Sequence, residues 1–347
     1  MKMTMKRYYI SMFFIIICMP IISMPFIQTQ GQNSSRKVPT VFIQGNLNLE
    51  YFSQVDEYLK ENFNFRESLI SIHSGIMESL FNTSAQSKVI VGEDNWLYYS
   101  ETIDDYLRTD VLTDDELAQI ASNINLIAEY VEQQGAKFVF TIAPNKNSIY
   151  PEYMPKNYVK PPIESNAQKL AKLLDKDIYI NLFERFDNTE CISYLKRDSH
   201  WNNYGAYLGF KEILAGLDIE EENFEITQIN KKREFKSDLD KMLYPNGSMY
   251  DEQIYYTFDT SFEFISRFKS GDDIIIQTTS PQGEASALVF RDSFGNALLD
   301  FFARQFESVE FNRAVPYQLE KAKDFDYVVL EIVERNLPNL ISPPIIK

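Results

Sequence analysis

Three residue types that cooperate in acyl-transfer chemistry stand at two places in this chain. Residues 197–207, RDSHWNNYGAY, put a carboxylate, Asp198, two positions before His200, with Trp201 directly after it. The 347 residues contain only two histidines. A nearby carboxylate can hold an imidazole in one tautomer and stabilise its protonated form. The same pattern also fits a capped helix start with a buried ring. The second place is residues 287–302, ALVFRDSFGNALLDFF, where an apolar strand ends at Phe290 and Ser293 stands at the turn into a helix. There a hydroxyl is exposed at a strand end, and the first helical N–H groups can stabilise an oxyanion. Serine is also a common helix N-cap. Paired with the other two residues, Ser293 becomes a candidate nucleophile, His200 its base and Asp198 the group that orients the base.

Elements able to position these residues are legible on both sides. Thr113 and Glu116 form a capping-box pattern, apolar residues continue to Val131, and Gly135 stands where a C-terminal cap belongs. KFVFTIA (137–143) follows as a buried strand, ending at PNKNSIYPEYMP. A helix over about 165–175 leads into DIYINL (177–182), and NYGAYLGFKEILAGL reads as another helix after the histidine. Residues about 219–284 lose this rhythm and read as a β-rich insertion. The alternation resumes with a strand at 287–290, a helix at 294–306, SVEF, a helix near 317–323 and the strand DYVVLEIV at 326–333. Helices alternating with short apolar strands predict an α/β fold, a parallel sheet with helices on both faces and a site at the C-terminal strand ends. Upstream, residues 51–80 read as helical, and VIVGEDNWLYYS (89–100) as a strand pair around a turn. His73, in the helical part, reads as a packing or surface residue.

Composition narrows the function classes. The chain is 44% hydrophobic and 14% aromatic with 12 glycines, a globular profile. Its formal charge of −16 argues against nucleic-acid binding, which needs a basic footprint. The aromatic residues suit carbohydrate stacking as well as core packing. Lys2, Lys6 and Arg7 precede an apolar run from Tyr8 to Ile27, which predicts a membrane anchor with its basic flank in the cytoplasm, or else a signal that is cleaved. Either way the remaining chain is expected outside the cytoplasm. Cys18 and Cys191 are too far apart in context for a disulfide, and the chain has too few Cys and His ligands to suggest a zinc site. No metal and no cofactor are expected. The expected organisation is an anchor or signal over 1–30, a linker and helical region over 31–88, and a catalytic domain over 89–347 with the insertion inside it.

Four stretches taken in order, VGEDNWLYY, APNKNSIYPEYMP, RDSHWNNYGA and FRDSFGNALLDFF followed by VVLEIVERNL, resemble the DHHW and alginate O-acetyltransferase group of SGNH-hydrolase-like proteins. In ordinary SGNH hydrolases the Gly-Asp-Ser strand comes first and the Asp-x-x-His loop last. Here the acid–histidine stretch comes first, which resembles the circularly permuted type. A permutation leaves the spatial site unchanged, because a triad depends on geometry. The chain departs from the pattern in two places: Arg291 replaces the glycine of Gly-Asp-Ser, and Ser199 breaks the doubled histidine.

The resemblance implies an extracytoplasmic O-acetyltransferase acting on a secreted or cell-wall polysaccharide through an acyl-serine. It also implies a membrane-bound O-acyltransferase partner that passes acetyl groups outward. A carbohydrate acetyl esterase and a non-catalytic scaffold of a polysaccharide export complex remain as alternatives. Arg335 and Asn336, at the end of the last strand, are candidates for substrate or oxyanion contact, or surface caps. Asn145 and Lys146 have the same standing at the end of their strand. Trp201 and Tyr204 are candidate cleft residues, with core packing the competing role for Tyr204.

Overall fold

Thr113 accepts a hydrogen bond from the Glu116 N–H, and the Glu116 carboxylate accepts one from the Thr113 N–H, so the capping box starts its helix. The structure is a computed structural model that describes residues 2–23, 38–62, 65–189, 191–221, 223–247 and 249–346. Its N-terminal part contains α1 (Lys2–Ser23), a small hairpin of β1 (Phe42–Ile43) and β2 (Asn46–Leu47), then α2 (Tyr51–Asn62) and α3 (Arg66–Phe81). Among the described residues no helix is long and apolar enough to cross a membrane. The run expected to form an anchor extends beyond the described part of α1. His73 is exposed on α3.

The strand pair β3 (Val89–Val91) and β4 (Leu97–Tyr99) forms around the expected turn. After the short α4 (Ile103–Leu107), α5 (Asp114–Gln133) leads into β5 (Lys137–Ala143). The next elements are α6 (Lys146–Ile149), α7 (Asn166–Ala171), β6 (Tyr179–Ile180), α8 (Leu182–Asp187) and α9 (Asn203–Gly216). Then come β7 (Ile226–Phe235), α10 (Asp238–Leu243), β8 (Asp251–Phe258), β9 (Glu263–Phe264) and β10 (Ile275–Thr279). The chain closes with β11 (Ser286–Phe290), a 3₁₀ turn (Phe294–Leu298), α11 (Leu299–Gln305), β12 (Ser308–Asn312) and β13 (Tyr327–Val333).

The main sheet has the order β6-β5-β13-β11-β12-β10-β9. Its first five strands are parallel, and β10 and β9 add antiparallel at one edge. Period-2 alternation explains why it is covered twice. Phe138, Phe140 and Ile142 of β5 point to the face holding Leu117, Ile120, Ile124 and Val131 of α5, whereas Val139 and Ala143 point to the face holding α9 and α11. Each such phenylalanine contributes about 1.5–3 kcal/mol by burial. The α/β reading with helices on both faces therefore holds.

The 219–284 region divides in two. β7 and β8 form an antiparallel hairpin of their own with α10 between them, but β9 and β10 belong to the main sheet, so the region is no separate unit. The reason is that β12 would otherwise be an open edge, with unpaired backbone groups that β10 satisfies. The expected helix at 294–306 begins as a 3₁₀ turn, and the one at 165–175 ends at Ala171.

Candidate active site

Parallel strands bring the loops that follow β5, β11 and β13 to one end of the sheet. Phe290 pairs with Leu330, and Val333 pairs with Ala143. Ser293 therefore stands beyond β11, half-buried, where the chain turns into the 3₁₀ helix. Asp292 fixes this turn. Its Oδ1 accepts the Phe294 N–H (2.9 Å), and its Oδ2 accepts the Val333 N–H (2.8 Å) and the Asn336 amide (3.1 Å). Asn336 is thus a brace on the acid beside Ser293. The Phe294 N–H, which the sequence offers to an oxyanion, is already used by Asp292.

Arg291, where the family pattern has glycine, is buried under the turn. Its guanidinium donates to the Asp292, Gly271 and Asp273 carbonyls and to Asn296 Oδ1, which ties the 271–273 loop to the serine turn. Burial, with Arg313 adding to it, pulls its pKa down to about 10, so it stays charged at neutral pH. Gly295 is required by contact rather than by φ. A Cβ there would sit 2.6 Å from Arg291 Cβ and Cδ.

The acid–histidine loop meets this turn from the other side. His200 Nε2 lies 2.9 Å from Ser293 Oγ, and His200 Nδ1 lies 2.7 Å from Asp198 Oδ1. A carboxylate only accepts, so Nδ1 carries the proton and Nε2 is free to accept the serine proton. Burial lowers the His200 pKa, but the hydrogen bond and charge of Asp198, then the charge of Asp238, outweigh it and the net direction is up. For Asp198 burial acts upward, and the bond to His200 with backbone N–H groups brings the pKa below the usual carboxylate range. Around these groups opens a cavity of about 360 Å³, lined also by Asn203, Gln253, Asn296 and Lys241. A larger cavity of about 690 Å³ lies between α3 and the β3–β4 turn, and it touches neither Ser293 nor His200.

One donor atom each of Asp198, His200 and Asp238 fall within 4.8 Å of one another, a spacing a cation could use. These atoms already serve hydrogen bonds. Asp198 Oδ1 accepts the His200 N–H as well as Nδ1, Asp198 Oδ2 accepts the Asp238 N–H (2.7 Å), and Asp238 accepts both the N–H and the hydroxyl of Ser199. The cluster is a hydrogen-bonded carboxylate–imidazole set.

Several sequence candidates have other places. Lys146 is buried, and its ammonium donates to the carbonyls of Leu195 and Lys196 (both 3.0 Å) and Asp198 (2.5 Å). It also faces the rings of Trp96 and Tyr98 at 5.5 and 5.2 Å. Burial pulls its pKa down to about 8. The Lys146 ammonium therefore supports the acid–histidine loop from within rather than facing the cleft, and VGEDNWLYY supplies the aromatic walls around it. Asn145 is fully buried. Its N–H donates to Glu334 and its side chain faces no cleft residue through a hydrogen bond.

Trp201 is buried too; its indole N–H donates to the Phe294 carbonyl (3.0 Å), and its ring stacks on Phe186, so it braces the serine turn from within. The Tyr204 hydroxyl meets Thr189 Oγ1 (3.0 Å), away from the cavity lining. Arg335 is half-buried with its guanidinium over the rings of Tyr99 and Phe294, both at 5.4 Å, and its charge opposes protonation of His200. It is the sequence candidate that brings positive charge next to His200. Asp238 carries no signal in the sequence, since it is 40 positions from Asp198, and Ser199, which stands there only as a departure from the doubled histidine, bridges Asp238 and His200.

Comparisons with known proteins agree with this architecture. Residues 89–250 match the family model described as "SGNH hydrolase-like domain, acetyltransferase AlgX". That match contains Asp198 and His200 and ends before Ser293. A probable alginate O-acetylase AlgJ of Pseudomonas syringae pv. tomato is 26% identical over 211 residues, covering 57% of this chain and 51% of that protein. The chain thus spans about half the length of the curated relatives it matches. Bacillus cereus PatB1, solved with a sulfonyl adduct, superposes with a TM-score of 0.57 at 18% identity, over 75% of this chain and 100% of that one. A DHHW family protein from Eubacterium siraeum gives 0.56 at 17% identity, over 76% and 98%. The resemblance read from the sequence, to the DHHW and alginate O-acetyltransferase-like group, holds, and so does its fold.

Proposed function

We propose that this chain, which resembles the SGNH-hydrolase-like proteins of the alginate O-acetyltransferase type, transfers acetyl groups to the hydroxyls of a secreted or cell-wall polysaccharide. The observation that carries the reading is the continuous set Ser293 Oγ–His200 Nε2 (2.9 Å) and His200 Nδ1–Asp198 (2.7 Å), in a cavity open to ligands. Ser293 Oγ attacks the acetyl carbonyl while its proton passes to Nε2. The resulting imidazolium is held by Asp198 and then protonates the departing donor oxygen. A sugar hydroxyl next attacks the acyl-serine and gives its proton to Nε2, which returns it to Ser293 as the ester leaves. The net change is one acetyl group moved from donor oxygen to acceptor oxygen.

The acetyl donor in this proposal is supplied by a membrane-bound O-acyltransferase, and the acceptor is the polymer. The domain lies outside the cytoplasm, held at the membrane or released after cleavage at its N-terminal apolar run. An acyl-enzyme partitions between water at about 55 M and the acceptor, so transfer requires an oriented sugar of high effective molarity. Lys146 and Tyr204 are bonded elsewhere and Asn145 is buried. In this reading Lys236, Lys241 and the amides of Asn203, Gln253 and Asn296 grip the sugar against the Trp201 wall, with Arg335 adding positive charge beyond that lining.

The test is incubation of the protein with an aryl acetate and candidate oligosaccharides, followed by mass spectrometry. We expect one acetyl mass gained per modified hydroxyl, and a loss of about 10³-fold or more in turnover for Ser293→Ala and His200→Ala with thermal unfolding unchanged. Deacetylation of a pre-acetylated polymer without any transfer points to the esterase. Neither activity in a folded protein points to the scaffold. Protease treatment of spheroplasts tests the location; a protected domain contradicts it.

A further inference from the structure

His200 has two carboxylates on its Nδ1 side, and only one of them is a sequence neighbour. The other, Asp238, comes from the first turn of α10, between the strands of the β7–β8 hairpin. Its Oδ2 lies 3.7 Å from Nδ1, too far for a direct hydrogen bond. The Ser199 hydroxyl fills the gap, 3.2 Å from Nδ1 and 2.5 Å from Asp238 Oδ2. The directions of these bonds are fixed by chemistry. Ionised Asp238 only accepts, so the hydroxyl proton points to it, and the hydroxyl oxygen is left to accept a minor share of the Nδ1–H whose main acceptor is Asp198 Oδ1.

The rest of the geometry holds that bridge in place. The Ser199 N–H donates to Asp238 Oδ1 (2.8 Å), and the Asp238 N–H donates to Asp198 Oδ2 (2.7 Å), so the two acids and the serine form a closed ring of bonds around one imidazole edge. Ser237 anchors α10 to the buried Asp251 (2.7 Å), which also accepts the Arg197 N–H (2.7 Å). Asp238 therefore cannot drift away from the histidine without breaking several buried bonds.

We propose that Asp238 is a positioning residue of this site, a second carboxylate that shares the Nδ1 proton of His200 through Ser199 and, with Asp198, sets the protonation of the imidazole. The proposal rests on the reading of His200 as the general base. The charged groups facing His200 are Asp198 on its own loop, Asp238 on α10 and, from the end of β13, Arg335, which opposes the two acids. Lys146 on α6 feels Asp198, Asp238 and Asp251, and Lys236 and Lys241 line the same cavity. Asp238 itself is pushed upward by burial and by the charge of Asp198. Asp238 Oδ1 also accepts the Leu239 N–H at the start of α10 (2.6 Å), but a role at the helix start alone gives no reason for Oδ2 to lie against the imidazole edge.

The test is an NMR titration of the full-length chain carrying labelled histidine. There are only two histidine signals to follow, and His73→Gln assigns them. Asp238→Asn keeps the size and the oxygen that accepts from Ser199 and removes the charge. We expect the His200 midpoint to move to lower pH in Asp238→Asn, further in Asp198→Asn, and furthest in the double variant. The acid limb of aryl acetate turnover should move the same way, with kcat down about fivefold to tenfold and KM unchanged.

Asp238→Ser, compatible with the start of a helix, carries the same comparison if the asparagine variant does not fold. A His200 midpoint that coincides with wild type in a folded Asp238 variant overturns the proposal. The titration needs no substrate. A shifted midpoint in a protein that turns over no ester supports the link to Asp238 and counts only against the acyltransferase reading.

Discussion

The two halves of the site are held by different means. The serine turn stands on the sheet: β11 delivers it, β13 receives the Asp292 carboxylate, and Arg291 fills the space beneath. The acid–histidine loop has no strand of the main sheet under it. It hangs from polar contacts with distant parts of the chain: Lys146 on α6, Asp251 on β8 and Asp240 on α10, whose Oδ1 accepts Arg197 Nε at 2.5 Å. A turn supported by parallel strands shares the stability of the core, whereas the suspended loop depends on these buried polar contacts together with the packing of Trp201 beside it. Catalytic geometry needs both, because misplacement by about 1 Å can cost on the order of 100-fold in rate.

The largest expected effect is on the suspended half. Lys146→Met keeps most of the side-chain volume and leaves the Leu195 and Asp198 carbonyls without a donor, while the Lys196 carbonyl keeps the Leu97 N–H. Leaving two buried acceptors unpaired costs about 1–3 kcal/mol each. Denaturant unfolding should show that loss, and kcat for an aryl acetate should fall about 10-fold to 100-fold. If stability falls while kcat is unchanged, the loop is held in place by α10 alone.

The matching change on the supported half is Gly295→Ala. The added Cβ meets Arg291 at 2.6 Å, and overpacking of this kind costs about 1–3 kcal/mol. Because the strand ends resist displacement, Arg291 must move, and with it the 271–273 loop. We expect a smaller loss of stability than for Lys146→Met and a clear loss of kcat, since Ser293 is two residues away. Equal losses in the two variants would remove the distinction between the halves.

What the sequence discloses follows the same division. Strands β5, β11 and β13, the Thr113 capping box, Ser293 and the Asp198–His200 pair are all legible, because each rests on periodicity or on residues a few positions apart. The supports of the suspended loop are not legible. Asp238, Asp240 and Asp251 are 39–54 positions from the loop groups they bind and lie where the helical and strand rhythms fade. The place of Lys146 is illegible for a related reason. A lysine after a strand end looks like a group aimed at the cleft, and only the tertiary meeting with Trp96 and Tyr98 turns it inward. The joining of β9 and β10 to the sheet was equally hidden, since an antiparallel edge pair and a separate hairpin have the same local pattern.

A pH experiment sharpens the view of the supported half. Glu334, at the end of β13, accepts the Asn145 N–H and the Ser148 hydroxyl; burial, then the charge of Asp105, pushes it up to about 8. The unfolded chain loses this proton near the ordinary value of 4.5. Between those two values the folded state holds a proton that the unfolded state has released. Its contribution is therefore complete below about 4.5 and lost as pH rises toward about 8. Glu334→Gln is neutral at every pH, so its melting temperature should fall less than that of wild type between pH 5 and pH 8. We expect a relative gain of about 1–2 kcal/mol at the upper end. Parallel melting curves across that range would show that Glu334 is already ionised in the fold.

The smallest effect is expected at Tyr204, which the sequence places three residues after Trp201 and within a few positions of the histidine. Its hydroxyl meets Thr189 Oγ1, and its place on α9 sets it outside the cavity that holds Ser293. Tyr204→Phe removes one partly buried hydrogen bond, worth about 0.5–1.5 kcal/mol, and leaves the ring packing as it is. Both halves of the site keep their supports, because Trp201 still donates to the Phe294 carbonyl and Lys146 still holds the loop. The variant should unfold slightly earlier and match wild type in kcat and KM, both for an aryl acetate and for transfer to an oligosaccharide. A raised KM for the oligosaccharide alone would mean that the polymer runs over α9 beyond the cavity, and would extend the binding surface to a region that neither half of the site includes.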